Sequence, residues 1–344
     1  MKKIVLLGLL VAFWACQKVN TPAKTELISN QAADFVLSFG SCNNQEIANE
    51  LWKELLKNKP NVWVWGGDVI YSDTHDMAYL AKNYAKQKAD TAYQNFSKNV
   101  PIIGTWDDHD YGLNDGGADY HEKEISKQLF LNFMDVPAAD DRRHRPGVYF
   151  SKTFSVKAKS IKIIVLDTRY FRTALTKDPT GEKRYIPNKY GQGTMLGSAQ
   201  WQWLKQELDS SKADFNIIES SVQVLSGEHG FETWGNMPHE VDKLKMMIAN
   251  SKAKGVIILS GDRHIAEISK TEVTKMTYPL IDITSSGLTH AYTSFHGEAN
   301  KFRILDVVFE KNFGLIKFDF ERHKAYFEIR GLNNKLYLTY AQQY

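Results

Sequence analysis

The stretch Val62-Trp63-Val64-Trp65-Gly66-Gly67-Asp68-Val69-Ile70-Tyr71 runs a strand-like apolar segment straight into two glycines and a carboxylate. Alternating β-branched and aromatic residues with no polar interruption suit a strand buried on both faces. Gly66 and Gly67 allow a tight turn, so Asp68 falls just past the strand's carboxyl end with Tyr71 three residues on. The same arrangement recurs three times. Residues 35–39 lead into Ser41-Cys42-Asn43-Asn44, residues 102–106 into Asp107-Asp108-His109-Asp110, and residues 256–259 into Gly261-Asp262-Arg263-His264. Sheets of α/β proteins bind ligands in loops beyond the carboxyl ends of their strands, so four such loops are expected to converge on one site.

Working outward, residues 163–166 and 215–218 add two more apolar runs, and helical patterns over 45–57, 77–97, 122–133, 197–210 and 240–250 lie between the strands. Alternation of this kind predicts an α/β layer arrangement. Residues 315–321, 324–330 and 335–340 instead alternate apolar and polar positions, separated by the turn-prone pairs Arg322-His323 and Asn333-Asn334, and predict antiparallel strands. The fold class is therefore α/β: two mixed β-sheets packed face to face, flanked by α-helices, with antiparallel strands at the C-terminus. Residues 173–194 are weakly patterned and predict a loop bordering the site.

The 344 residues suffice for one sizeable core, and a formal net charge of +3 gives no argument for nucleic-acid binding. Met1-Lys2-Lys3 followed by the apolar run 4–15 has the form of a secretory signal and is too short to span a membrane. Phe13-Trp14-Ala15-Cys16 resembles a bacterial lipobox, with cleavage and release as the alternative to lipidation of Cys16. The expected organisation is a signal peptide over 1–15, a lipid-proximal tether over 16–31 and a single domain over 32–344, exported as a membrane-anchored lipoprotein of the periplasm or cell surface. If Cys16 carries lipid, Cys42 has no disulfide partner among the two cysteines of the chain. It then reads either as a buried apolar residue or as a metal ligand.

The chemistry of each signature can be weighed residue by residue. Asp68 alone reads equally as a helix cap. Joined by the Tyr71 phenol and the Cys42 thiol it makes an anionic donor set suited to a trivalent ion such as Fe³⁺. Asp107, Asp108 and Asp110 around His109 would repel one another without a cation or hydrogen-bond donors. Asn114 reads as a second-metal ligand or as a turn residue. Asp262 and His264, if their segment is extended, point to one side and suit two neighbouring ions, with Arg263 pointing elsewhere. Arg142, Arg143 and Arg145 form a basic cluster that reads as a phosphate holder or a solvated face, Arg169 is another candidate for anion contact, and His290 is a candidate for the pocket border.

At these residues the chain resembles the metallophosphoesterase superfamily, specifically its PhoD-like alkaline phosphatase and phosphodiesterase branch. The carrying motifs are Cys42, Gly67-Asp68-Val69-Ile70-Tyr71, Trp106-Asp107-Asp108-His109 and Gly261-Asp262-Arg263-His264. The resemblance implies that Cys42, Tyr71 and His264 bind iron, that Asp68 bridges, and that Asp262 with Asn114 or Asp108 holds divalent ions of the calcium type. Two departures from the branch are the missing twin-arginine signal and the missing N-terminal domain before the catalytic part.

The expected activity is hydrolysis of a small phosphate ester by a metal-activated hydroxide. His109 would act on the leaving group, and Arg169 or the Arg142 cluster would orient the substrate. The alternatives are a phosphodiesterase or phospholipase D-type hydrolase, and a surface lipoprotein that binds a phosphorylated ligand without turnover.

Overall fold

A computed structural model describes residues 33–344. The signal peptide, Cys16 and the tether lie outside the described residues, and among those described no helix is long and apolar enough to cross a membrane.

The strands are β1 (Phe35–Gly40), β2 (Val62–Gly66), β3 (Ile102–Thr105), β4 (Phe150–Val156), β5 (Lys159–Val165), β6 (Thr176–Lys177), β7 (Tyr185–Ile186), β8 (Phe215–Ser220), β9 (Val256–Ser260), β10 (Ala266–Thr271), β11 (Leu280–Ser285), β12 (Phe313–Asp319), β13 (Lys324–Arg330) and β14 (Leu336–Gln343). Two six-stranded sheets form, in the orders β14-β13-β12-β1-β2-β3 and β10-β11-β9-β8-β5-β4. Parallel pairing joins β1, β2 and β3 in the first sheet and β5, β8, β9 and β11 in the second, so their carboxyl ends share one edge of the sandwich. The C-terminal strands extend the first sheet antiparallel through β1–β12, as their alternation predicts.

Between the sheets lies an apolar layer that includes Leu37, Phe39, Val62, Val64, Ile217, Ile257, Leu259 and Phe327, all fully buried. The alternate side chains of β2, Trp63 and Trp65, point the other way. They meet Trp52 of helix α1 (Trp52–Lys57) with ring centroids 5.3 and 5.4 Å apart. Strand β2 is thus covered on both faces, which is why its sequence is apolar without alternation. Helices α2 (Met77–Ala89), α3 (Thr91–Asn99), α4 (Asp108–Tyr111) and α5 (Lys123–Phe133) also belong to this outer layer, while α6 (Gly197–Asp209) and α7 (Pro238–Asn250) pack Leu204, Leu208, Leu244 and Ile248 on the second sheet.

Three local expectations are corrected. The helix expected over 45–57 begins only at Trp52, because side chains before it serve the backbone in other ways: Asn44 accepts from Glu46 N at 2.9 Å and Asn49 accepts from Leu51 N at 2.9 Å. The pattern over 77–97 breaks at Asp90, whose carboxylate caps α3 by accepting from Tyr93 N at 2.7 Å. The 173–194 loop carries the small β6–β7 hairpin.

Candidate metal centre

The four loops expected to converge do so. Asn43 N donates to Asp68 O at 2.8 Å, fixing the loop after β1 to the loop after β2. A Cβ on Gly67 would lie 2.3 Å from Asp107 Cβ, and one on Gly261 would lie 2.5 Å from Ser41 Oγ and 2.6 Å from Gly66 O. Only glycine lets the loops of the two sheets approach this closely.

At their meeting point Cys42 Sγ is 3.4 Å from Asp68 Oδ2, Tyr71 Oη is 3.2 Å from the same oxygen, and Tyr71 Oη is 3.0 Å from His264 Nε2. Among the described residues, donor atoms lying within 4.8 Å of one another form four sets: Cys42-Asp68-His264, Asp68-Asp108-His109, Asp107-Asp108-Asp262 and Asp108-Asp115-Glu232. Asp68 belongs to two of them and Asp108 to three. Asn114 lines the same cavity as Asp108 and Asp262. Cys42 is fully buried and is the free cysteine of the described residues.

Four of these residues take the left-handed backbone region that most side chains avoid and that Asp and His enter more readily than most. Cys42, Asp68, Asp262 and His264 have φ of 62°, 49°, 69° and 53°. A side chain at such angles crowds its own backbone, at a cost of order 1–3 kcal/mol, and sites of function are where such strain collects. The segment Gly261–His264 is therefore not extended, contrary to expectation, and its left-handed bends bring Arg263 into the cavity wall beside Asp262 and His264.

Electrostatics follow from burial. Cys42 is raised well above the usual thiol range by desolvation, with Asp68 and Asp262 adding to it. Burial also raises Asp68, against the opposing pull of His109, and pushes Asp262 up to about 7. Asp108 goes the other way: burial is outweighed by Arg169, His109 and the backbone N–H groups of Asp115 and His109, which hold it down to about 2. Burial disfavours the His109 cation, yet the carboxylates of Asp68, Asp73 and Asp108 push it up to about 11. Its Nδ1 lies 2.6 Å from Asp73 Oδ2 and its ring stacks on Tyr71 at 4.1 Å. His264 is lowered to about 3 by burial and by the neighbouring His290, His109 and Arg263.

Two of the expected anion holders are corrected. Arg169 is fully buried and consumed by partners, donating from Nε to Asp107 Oδ1 at 2.5 Å and from Nη1 to Glu232 Oε2 at 2.6 Å, so it positions Asp107 and has no surface for a substrate. The Arg142 cluster lies at the other end of the sandwich. Arg142 pairs with Asp140, and it lines a cavity of about 850 Å³ beside Ile102, at the amino end of β3. That cavity is larger than the one beside Asp108 and Asp262, yet it holds none of the candidate ligands.

Other residues gained a role only from the structure. Asp110 accepts from the backbone N–H of Asp68, Val69 and Asp107 at 3.2, 3.2 and 2.6 Å, tying two ligand loops together. Its spacing three residues after Asp107 is that of a capping box, which is the signal that marks it. Asp107 Oδ2 is buried without a hydrogen-bond partner, which leaves it able to accept from a cation or a water. Glu232, which pairs with Arg169 and Arg172, carries no sequence signal.

A two-sheet α/β sandwich that brings acids, a thiol and imidazoles to the carboxyl ends of its parallel strands has the architecture of the metallophosphoesterases. The chain belongs to the PhoD-like phosphatase family, whose model matches residues 36–329. It is similar to alkaline phosphatase D of Bacillus subtilis (strain 168), 24% identical over 285 residues, covering 69% of this chain and 47% of that protein. The chain thus spans about half the length of the curated relative it matches. Its fold is similar to the solved structure of PhoD (TM-score 0.72, 17% identity, 90% of this chain and 69% of that one). It is also similar to that of a dimetal phosphatase from Danio rerio (TM-score 0.53, 12% identity, 91% and 100%). A third likeness is to GAP50, the anchor in the inner membrane complex of Plasmodium (TM-score 0.54, 12% identity, 90% and 88%).

Proposed function

We propose that the chain is an exported, metal-dependent hydrolase of small phosphate esters, with a multinuclear centre of the iron and calcium type and a lipid anchor at Cys16. The observation that carries the hydrolase reading is the sharing of Asp68 and Asp108 between neighbouring donor sets, because a carboxylate common to two sets can bridge two ions held a few ångströms apart. The donors fit metal: buried carboxylates, a thiol and a phenol outnumber the cations His109, Arg169 and Arg263 that act on them. Such an excess must be neutralised by protons or by bound cations.

In this reading Cys42, Tyr71 and His264 with Asp68 would hold the iron, and Asp68, Asp108 and Asp262, with Asn114, would hold the divalent ions. Bound metal would supply Lewis acidity, lower the pKa of water and offset phosphoryl charge. His109 does the proton work. Asp73 engages its Nδ1 and Tyr71 fixes the ring plane, leaving Nε2 to protonate the departing oxygen from the cavity wall. Arg169 and Asp110 hold the loops in place and touch no substrate.

The test is a panel of aryl phosphate mono- and diesters offered to purified protein, with metal analysis of the same sample. Turnover that scales with metal content supports the reading, and no hydrolysis at full occupancy sinks it in favour of a binding protein. Mass spectrometry of the mature N-terminus tests the anchor: a diacylglycerol on Cys16 is expected, and a free N-terminus elsewhere rules it out.

A further inference from the structure

The cavity above the centre has about 500 Å³, well beyond what a phosphoryl group fills. Asp108, His109, Asp262 and His264 lie at its base, so the remaining volume belongs to the organic part of the ester. Two features of its outer wall stand out. Phe231 and Tyr292 line it and have 36% and 37% of their surfaces exposed, although large apolar side chains are mostly enclosed among the described residues. Both are also held firmly. Tyr292 N donates to His264 O at 2.8 Å, which ties its backbone to a candidate ligand. Phe231 adjoins Glu232, whose ion pairs with Arg169 and Arg172 anchor it to the group that holds Asp107. The Arg263 guanidinium covers the Phe231 ring at 4.1 Å, and the His229 ring lies 6.0 Å from it, tilted by 31°.

The charges of the wall point the same way. Arg263 is paired with Glu298 at 2.7 Å and Arg184 with Asp115, so each cation of the wall already carries a carboxylate partner. Rigid, exposed aromatic faces between neutralised cations suit a flat, uncharged ring, which gains from stacking without a charge partner.

We propose that Phe231 and Tyr292 form a subsite for a planar aromatic or heteroaromatic group in the alcohol part of the ester. The inference rests on the hydrolase reading for the placement of the phosphoryl group, and its test separates the two. Benzyl phosphate and cyclohexylmethyl phosphate are close in size and differ in flatness, and the slightly better benzyl leaving group is controlled for by the leucine variants and by phosphonates. Metal-loaded protein should show about tenfold higher kcat/KM for the benzyl ester, and Phe231→Leu or Tyr292→Leu, both at open surface, should bring that ratio toward one. The corresponding phosphonates, which cannot be hydrolysed, should show the same preference by calorimetry. Equal binding of the two phosphonates overturns the subsite whether or not turnover occurs. A binding preference with no turnover of any ester upholds the subsite and overturns the hydrolase. A ratio unchanged in both leucine variants removes these two residues from the ring site.

Discussion

Tyr71 Oη stands 3.0 Å from His264 Nε2, joining the loop after β2 of one sheet to the loop after β9 of the other. A phenol and an imidazole this close, beside the Cys42 thiol, are the donor set of the proposed iron. Protein loaded with Fe³⁺ should be coloured by charge transfer from phenolate or thiolate. Tyr71→Phe and Cys42→Ser should each weaken or shift the visible band and lower the iron content measured on the same sample. A variant that keeps iron, band and activity places the iron elsewhere.

Removal of metal should invert the usual pH response of a folded protein. Burial raises Asp262 and Asp110 to about 7 and Asp282 to about 6, against an ordinary value of 3.8. Folded and metal-free, these carboxyls, with Asp115 and Glu219 raised likewise, keep protons that the unfolded chain loses between about 4 and 7. They outnumber His264 and His229, whose lowering to about 3 acts the other way, so stability falls as pH rises through that window. Chelator-treated protein should melt at higher temperature at pH 5 than at pH 8. Asp262→Asn, neutral and tolerant of a left-handed backbone, should raise the metal-free stability at pH 8 on the order of 2 kcal/mol while lowering metal affinity. A flat melting profile of the chelated protein would count against buried, uncompensated carboxylates.

Arg169 is the keystone of a buried ion-pair network. Arg169→Met leaves Asp107 and Glu232 without their shared cation and should cost about 3–5 kcal/mol in denaturant unfolding. The loss should exceed that of Arg142→Met, at the partly buried pair with Asp140, by several-fold. Similar costs for both would mean that the network contributes no more than a surface pair.

Trp52 meets Trp63, Trp65, Tyr93 and Phe96 in one buried aromatic cluster. Trp52→Ala should cost about 3–5 kcal/mol in chemical denaturation. Because the cluster lies on the outer face of β2, affinity for metal should fall less than stability does.

What was legible in the sequence was the conjunction of apolar run and acid. Residues 62–65 cannot be solvent-exposed, so the chain must turn after them, and Asp68 stands where such a turn binds ligands. The C-terminal strands were legible for the converse reason, since β13 and β14 alternate. Two kinds of information were not legible. Partner identity across the fold was hidden: Arg169 looked available for an anion because nothing local announces Glu232, 63 residues away. Backbone handedness was hidden too, because Asp262 and His264 in a row of residues do not reveal φ of 69° and 53°, and the segment was read as straight. Residues 45–51 show a third limit, where asparagine side chains compete with the helix that apolar spacing favours.

The left-handed bends at Cys42, Asp68, Asp262 and His264 carry a consequence for anyone who would transplant this centre. Copying those four side chains onto the strand ends of another sandwich would reproduce the donor types without their directions, because an ordinary strand exit aims each side chain elsewhere. What must be moved is the bend together with its neighbours: Gly67 and Gly261, which let the loops touch, and the Asp110 carboxylate, which holds two of them in register. The transferable unit is a set of curved peptide segments, and the donor atoms are only its outermost part.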